Sequence, residues 1–300
     1  GGNVLAVDNN KNKVDELKAG KCFLDEERLI SLWEKQYKNI TFSTQIEAAD
    51  FFIIAVPTPL IKGSESCDYS YIEDAVNNII LILRPGNGIA ITSTCPVGTT
   101  NKVAEMISTS TDLEIGKNCF LAYSPERLYP GDTYNEIKEN WHLVGGLTEV
   151  CTENFYTFYK SYLTEKIIKT SAKVAEFSKL AENAYRDVNL AFANEISQLA
   201  ERENVNVDEI INLANMHPRV DILKPGIGVG GHCLPIDPWF LNPSVLNTPN
   251  SIIRTGRKVN DSIPKLLANK IFERFTKVLL NKDHKQFVKE TKSIHVLLLG

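Results

Sequence analysis

The sequence predicts an α/β chain in which a doubly wound parallel sheet is followed by a helical domain and by the start of a third domain. Three observations predict it. In the first half, short apolar runs alternate with helical patterns, the βα repeat of a sheet covered on both faces. From about Ala172 to Asn204, no Gly or Pro interrupts one long helical pattern. At the far end, Ile294 to Leu299 (IHVLLL) form a buried-strand pattern that stops at Gly300.

The strands come in order. Asn3 to Val7 (NVLAV) is the first and ends in Asp8. Phe51 to Val56 (FFIIAV) is the second and closes on Pro57-Thr58-Pro59. Gly88 to Thr92 (GIAIT) and Cys119 to Tyr123 (CFLAY) follow, with His142 to Val144 and Lys166 to Ile168 as short later strands. Apolar runs without polar alternation suit strands buried on both faces.

In the long helix, Val174, Phe177, Ala181, Ala184, Val188 and Ala191 recur at spacings of 3 and 4 and form one apolar stripe. Lys179, Asn183 and Arg186 share a roughly opposite face. A second helix is expected over Val207 to Asn215, then a loop rich in Gly, Pro and His from Met216 to Asp237. A further helix is expected around Ser251 to Asn260, and Lys282 to Lys292 is charged and linker-like. The expected domains are 1–170, 171–262 and 263–300, the last a linker and one strand.

Composition narrows the function. The 300 residues are 43% hydrophobic and 23% charged, ordinary for a globular chain of about two domains. A net charge of -4 argues against a nucleic-acid binder, which needs clustered Lys and Arg. No run of about 18 apolar residues offers a membrane span. No signal peptide is visible, and the opening GGNVLAVD reads as the middle of a fold, with the N-terminus missing. The six cysteines (Cys22, Cys67, Cys95, Cys119, Cys151 and Cys233) form no CxxC pair and no zinc spacing, so no metal is expected. Scattered thiols in a chain this long suggest a reducing, cytoplasmic compartment.

Two segments carry chemistry. A strand ending in an acidic residue fits the second strand of a dinucleotide-binding unit, where the carboxylate accepts the ribose hydroxyls. Asp8 is that candidate, and a free carboxylate would repel a 2′-phosphate, which favours NAD over NADP. Many strands also end in Asp for turn reasons, and the glycine-rich phosphate loop that should come before it is not in the sequence. The second segment is Gly228-Val229-Gly230-Gly231-His232-Cys233-Leu234-Pro235-Ile236-Asp237. Glycines before a Cys let backbone and ligand approach closely, and Asp237 is placed to order a lysine or a water. The same residues also read as a tight turn with an incidental thiol. Lys179 and Asn183, at i and i+4 on a helix, offer an ammonium and an amide to a developing oxyanion.

Six segments then carry a resemblance over nearly the whole chain. They are VPTP (56–59), STCPVGTT (93–100), SPERLYPG (124–131), KLAENAYRDVNLAFANE (179–195), HPRVDILKPGIGVGGHCLPIDPWF (217–240) and RTGRKVND (254–261). In this order they resemble the UDP-glucose/GDP-mannose dehydrogenase family. The resemblance implies a Rossmann-like NAD domain, a central helical domain used for dimerisation, and a third, UDP-binding Rossmann-like domain. It implies two successive NAD-dependent oxidations at C6 of a UDP-sugar, within polysaccharide biosynthesis, through a thiohemiacetal and a thioester on Cys233. Lys179 and Asn183 fall at the oxyanion, and Lys179 also serves as general acid/base. Asp237 holds Lys179 or the attacking water, Glu126 assists hydrolysis, and Thr94 positions water. Asp8, Thr58 and Thr94 touch NAD. Arg127, Leu128, Arg186, His217, Arg219 and Gly230 touch the nucleotide sugar, while His232 is structural and Arg257 matches a family position of unassigned role. Pro130 stands where the UDP-glucose enzymes carry a second acid, which favours a 2-acetamido sugar. UDP-N-acetylmannosamine heads the substrates, with UDP-N-acetylglucosamine, UDP-N-acetylgalactosamine and UDP-glucose open. A non-catalytic dimerising relative and a hydroxyacid dehydrogenase that needs no Cys are the other readings.

Overall fold

The computed structural model describes residues 2–128, 131–163, 166–241, 246–248 and 250–278. The chain divides into two compact units, Gly1–Glu182 with Trp239–Pro243, and Asn183–Pro238 with Ser244–Gly300. The expected strand at Ile294–Leu299, the charged stretch Lys282–Lys292 and Pro130 lie outside the described residues.

The first unit opens with β1 (Val4–Val7), α1 (Lys11–Lys18), α2 (Glu27–Gln36), β2 (Ile40–Ser43), β3 (Phe51–Ile54) and α3 (Ser70–Ile80). It continues through β4 (Gly88–Ile91), α4 (Thr99–Ser110), β5 (Phe120–Tyr123), α5 (Thr133–Glu139), β6 (His142–Gly146), α6 (Glu149–Lys160) and β7 (Ile167–Ser171). The long helix α7 (Ala172–Arg202) follows directly. β1 and β2 form a parallel pair, and β3 to β7 form a five-stranded sheet in sequence order. β2 was not foreseen, because its four residues (ITFS) alternate apolar and polar and are not one of the unbroken apolar runs that mark the other strands.

One pairing departs from the expected parallel sheet. β6 runs antiparallel to β5, with Ala122 opposite Gly146. The cause is local. The chain leaving β5 does not cross a face of the sheet but doubles back, so that Ser124 Oγ meets His142 Nε2 at 3.1 Å and donates to Leu143 O at 2.8 Å. A parallel partner would need a crossover that returns the chain to the end of the sheet where β5 starts.

Both faces of the sheet are covered. Ile54, Ile89, Ile91, Leu121 and Tyr123 pack on one side with Ile72 and Val76 of α3 and Val103 and Ile107 of α4. Ala90, Ala122 and Val144 point the other way, onto Phe155 and Tyr159 of α6. Small residues on that second face leave room for aromatic rings. At Gly88 a Cβ would stand 2.7 Å from the Phe51 ring and 3.0 Å from Phe155.

The second unit holds the C-terminal part of α7, α8 (Val207–Ala214) and α9 (Ile252–Val278). Asn206 caps α8 by accepting the Asp208 N–H at 2.8 Å, and Asp208 and Glu209 sit favourably in its first turn. α9 runs well past the expected Asn260 and carries Pro264 inside it. Gly256 lets α9 approach α7, since a Cβ there would meet Val188 Cγ2 at 3.3 Å. No described helix is long and apolar enough to cross a membrane.

The apolar stripe expected on α7 is corrected. Val174 and Phe177 are 54% and 53% exposed, and Ala181 is exposed as well. Of that stripe only Ala184 and Ala191 are buried, alongside Ala175, Leu180, Glu176, Asn183, Asp187 and Asn194. Lys179, Asn183 and Arg186 lie on one side of the continuous helix, as the spacing predicts, but differ in burial: Asn183 is buried, Lys179 half-buried and Arg186 exposed. A polar side chain turns inward when buried partners satisfy it, and helical periodicity holds no record of those partners.

Candidate active site

In the first unit, the loops after β3 and β4 are tied together. Ser93 Oγ accepts the Val56 N–H at 2.8 Å and donates to Val56 O at 2.7 Å. Thr58 Oγ1 donates to Thr94 O at 2.6 Å, so the two threonines expected at the cofactor stand side by side. The loop then enters α4, whose N-terminus is filled from within the chain. Glu176 of α7, wholly buried, accepts Gly98 N–H at 2.6 Å, Thr100 N–H at 2.8 Å and the Thr100 hydroxyl at 2.7 Å. A helix N-terminus attracts anions, and here the anion is a carboxylate of the protein. Ser93 lies in the STCPVGTT segment, but neither its bonds to Val56 nor the inward turn of Glu176 carried a signal in the sequence. Cys95 in this loop is buried, and burial raises its thiol pKa.

The loop after β5 carries Glu126, Arg127 and Leu128. The exposed Glu126 turns its carboxylate back on its own loop, accepting the N–H groups of Arg127 at 2.7 Å and Leu128 at 3.1 Å. Arg127 is engaged by the protein itself. Its guanidinium meets Glu182 at 2.6 and 3.1 Å and the Trp141 carbonyl at 2.8 Å. These bonds hold the loop, and Arg127 also lines the cavity beside it. Just before α2, Glu26 takes the N–H groups of Gly131, Thr133 and Tyr134 at 3.1, 3.1 and 3.4 Å, and bonding to Thr133 lowers its carboxyl pKa. A cavity of about 320 Å³ beside this loop is lined by Thr92, Ser124, Glu126, Leu128, His142 and Tyr159 among others. Burial, helped by Arg127, lowers the pKa of His142, and burial pushes that of Tyr159 up to about 12. Both are therefore neutral at pH 7.

Asp8 follows β1 directly. Its carboxylate accepts from Lys13 Nζ at 2.6 Å and from Asn10 N–H at 2.9 Å, and the Lys13 bond first of all holds its pKa below the usual carboxylate range. It is thus charged and partly open to solvent, which fits the ribose hydroxyls of a dinucleotide without a 2′-phosphate.

In the second unit, Cys233 closes the glycine loop. Gly228 and Gly231 have φ of 125° and 90°, the left-handed region that favours glycine. The Cys233 carbonyl then accepts the N–H groups of Ile236 at 2.9 Å and Asp237 at 2.8 Å in a tight turn. Cys233 is exposed, whereas Cys67, Cys95, Cys119 and Cys151 are buried. Asp237 and Asn183 are both buried, and Asn183 Nδ2 donates to Asp237 Oδ2 at 2.5 Å. The expected partner of Asp237 was Lys179 or a water. The Asn183 bond leaves the second N–H of that amide unassigned. His217 and Arg219 lie together on an exposed turn, with Arg219 N–H on His217 Nδ1 at 3.3 Å, and His232 and Gly230 are exposed too. Arg257 is only 1% exposed and pairs with Asp187, which is fully buried.

The geometry allows comparison with known proteins. The pattern of the UDP-glucose/GDP-mannose dehydrogenase family matches this chain twice, its NAD binding domain over residues 1–163 and its central domain over residues 173–262. The chain belongs to this family. The UDP-N-acetyl-D-mannosamine dehydrogenase of Methanocaldococcus jannaschii is 42% identical over 287 residues, 94% of this chain. The chain spans 64% of the length of that relative. The enzyme of the same name from Campylobacter jejuni is 41% identical, over 92% of this chain and 70% of its own length. Among solved structures, the UDP-D-ManNAc dehydrogenase of Pyrococcus horikoshii superposes with a TM-score of 0.88 at 35% identity, covering 93% of this chain and 67% of that one. The exposed Cys233 and the Asn183–Asp237 pair lie in the stretch matched by the family's central domain, and Thr58, Thr94 and Asp8 in its NAD binding domain.

Proposed function

We propose that this chain is the cofactor-binding and catalytic part of an NAD-dependent 6-dehydrogenase of a UDP-N-acetylhexosamine, UDP-N-acetyl-D-mannosamine foremost. The observation that carries the reading is Cys233, exposed on a left-handed glycine loop whose far end is fixed by the buried Asn183–Asp237 bond. The 42% identity to an enzyme of that name supports the substrate. UDP-N-acetylglucosamine, UDP-N-acetylgalactosamine and UDP-glucose are the competing substrates. Residues 1–170 make the NAD domain, 171–262 the central domain, and 263–300 lead toward a UDP-binding domain.

Bound NAD supplies the hydride acceptor for both oxidations and is held at its ribose by Asp8, with Thr58 and Thr94 nearby. The Cys233 thiolate adds to the C6 aldehyde, and the new oxyanion is met by Lys179 and by the remaining N–H of Asn183. Lys179 takes the hydroxyl proton of the alcohol and returns one where the adduct needs it. Water, placed by Thr94 and relieved of a proton by Glu126 or Asp237, then cleaves the thioester and releases the thiol. Per sugar, one water and two NAD become one carboxylate, two NADH and three protons. Arg127, Leu128, Arg186, His217, Arg219 and Gly230 contact the nucleotide sugar, and the Glu182 pairing of Arg127 holds its loop in place.

The test is NADH formed per UDP-sugar consumed by the full-length protein. A ratio of two, with UDP-N-acetylmannosamine preferred, supports the reading. A ratio of one ends the thioester route, and no turnover with any UDP-sugar ends the enzyme assignment. Cofactor choice is checked separately. Asp8→Ser is expected to erode the preference for NAD over NADP by roughly tenfold, since the charge that repels a 2′-phosphate is gone. Unchanged relative KM values would remove Asp8 from the cofactor site.

A homodimer completes the proposal. The outward stripe of α7 holds Val174, Phe177, Tyr185, Phe192 and Leu199, each about half exposed, at spacings of 3, 8, 7 and 7. This is the repeat a second helix covers. Phe192→Glu is expected to shift the full-length protein to monomer in sedimentation velocity, and an unchanged sedimentation coefficient would place the interface elsewhere. A cytoplasmic location fits the absence of a disulfide among the cysteines.

A further inference from the structure

We propose that Asn194 is a positioning residue for Cys233, kept in register through Asn260 and the buried Asp187–Arg257 pair. The inference rests on the reading of Cys233 as nucleophile for its catalytic consequence, but not for its test. Asn194 is 3% exposed, and its two amide atoms face different ways. Oδ1 accepts the N–H of Gly226 at 2.9 Å, and Nδ2 donates to Asn260 Oδ1 at 3.0 Å. Asn260, fully buried, donates to the Asp187 carbonyl at 2.8 Å and to Asp187 Oδ1 at 2.9 Å. Arg257 reaches the same Oδ1 at 2.5 Å and Asp261 at 2.7 Å.

The polarity of this chain is set from one end. The guanidinium fixes Asp187 as a charged acceptor. That acceptor demands the NH2 end of Asn260, which leaves the Asn260 oxygen toward Asn194. The NH2 of Asn194 answers it, and its oxygen is left for Gly226. Each amide has one allowed orientation, so the loop receives a directed bond and not merely a polar neighbour.

The consequence reaches Cys233 through the loop. Two residues past Gly226, Gly228 lies flat on α9, and a Cβ there would stand 2.9 Å from Pro264 Cγ. The other end is fixed where Asn183 holds Asp237. Between these anchors, nothing lies within 4 Å of the Cβ positions of Gly230 and Gly231. The loop that carries the thiol thus leaves from one fixed point and arrives at another, and Asn194 sets the first of them. Catalytic groups need placement within about 0.5 Å.

The test is alkylation of Cys233 by iodoacetamide in the full-length protein, read by mass spectrometry of the Cys233 peptide. Two variants are compared with the parent, Asn194→Leu and the pair Asp187→Leu with Arg257→Met. The pair removes both charges together and decides the matter if Asn194→Leu does not fold. Folded variants keep the helical circular dichroism of the parent and leave Cys67, Cys95, Cys119 and Cys151 unlabelled. Both are expected to alkylate Cys233 at least fivefold faster, with kcat lowered and KM for NAD unchanged wherever the protein turns over. A folded variant that alkylates at the parental rate overturns the proposal. A rate change in a protein that oxidises no UDP-sugar would sink the dehydrogenase reading and leave this one standing.

Discussion

Replacing Cys233 with alanine in the full-length protein is expected to lower steady-state NADH formation by roughly 1,000-fold or more. The magnitude follows from what the thiol does. Without it the aldehyde has no covalent anchor, and the second hydride must leave a hydrate formed by weakly nucleophilic water. The first oxidation does not need the thiol, so the variant should still release about one NADH per sugar in a single turnover. Absorbance at the nicotinamide band reads both quantities. Activity within tenfold of the parent, or a ratio that stays at two, would return Cys233 to an incidental surface thiol. Cys233→Ser is expected to fail nearly as badly, because a hydroxyl at this site is a far poorer nucleophile than a thiolate.

Replacing Arg257 with methionine is expected to cost about 3–5 kcal/mol of stability, because it leaves Asp187 buried and unpaired. For a chain of this size that is on the order of 10 °C in Tm. The pair is tightly held, with side chains only 2% and 0% exposed, so solvent screens it little. Two atoms in it, Asp187 Oδ2 and Arg257 Nε, make no hydrogen bond, so the pair is already under-satisfied. Adding Asp187→Leu to Arg257→Met should recover most of the loss, since buried ion pairs are often matched by well-packed apolar residues. The pH dependence has a definite sign. Burial raises the Asp187 carboxyl pKa, against the lowering effect of Arg257. A raised carboxyl contributes stability below its unfolded value and loses it as pH rises through the folded value. Arg257→Met removes the lowering partner, so its deficit should shrink as pH falls from neutrality toward the ordinary Asp range. Thermal melts of the three proteins across that range measure it. A deficit constant with pH would mean that Asp187 is not the group left charged.

The local features of the site were legible because each is made by neighbours in the chain. Asp8 ends a strand, and its carboxylate bonds within its own turn, to Asn10 and Lys13. The Gly228–Asp237 segment reads as a glycine loop before a Cys, and Gly228 and Gly231 do take left-handed angles there. Glu176, Ser93 and Asn194 were not legible. Glu176 meets Thr100 across 76 residues and Asn194 meets Asn260 across 66, and nothing local marks either side chain as inward. For Arg127, a residue legible as a ligand contact, the structure adds a partner that the sequence did not show, Glu182 across 55 residues.

The sequence by itself determined the βα repeat, the unbroken helix after Ala172 and the exposed thiol behind its glycines, since apolar periodicity and glycine act within a few residues. Only the tertiary structure decided which face of α7 is buried, that β6 turns back against β5, and which carboxylates and amides are paired. Those outcomes depend on whether a polar group finds its partner once water is excluded, and such partners lie in distant parts of the chain.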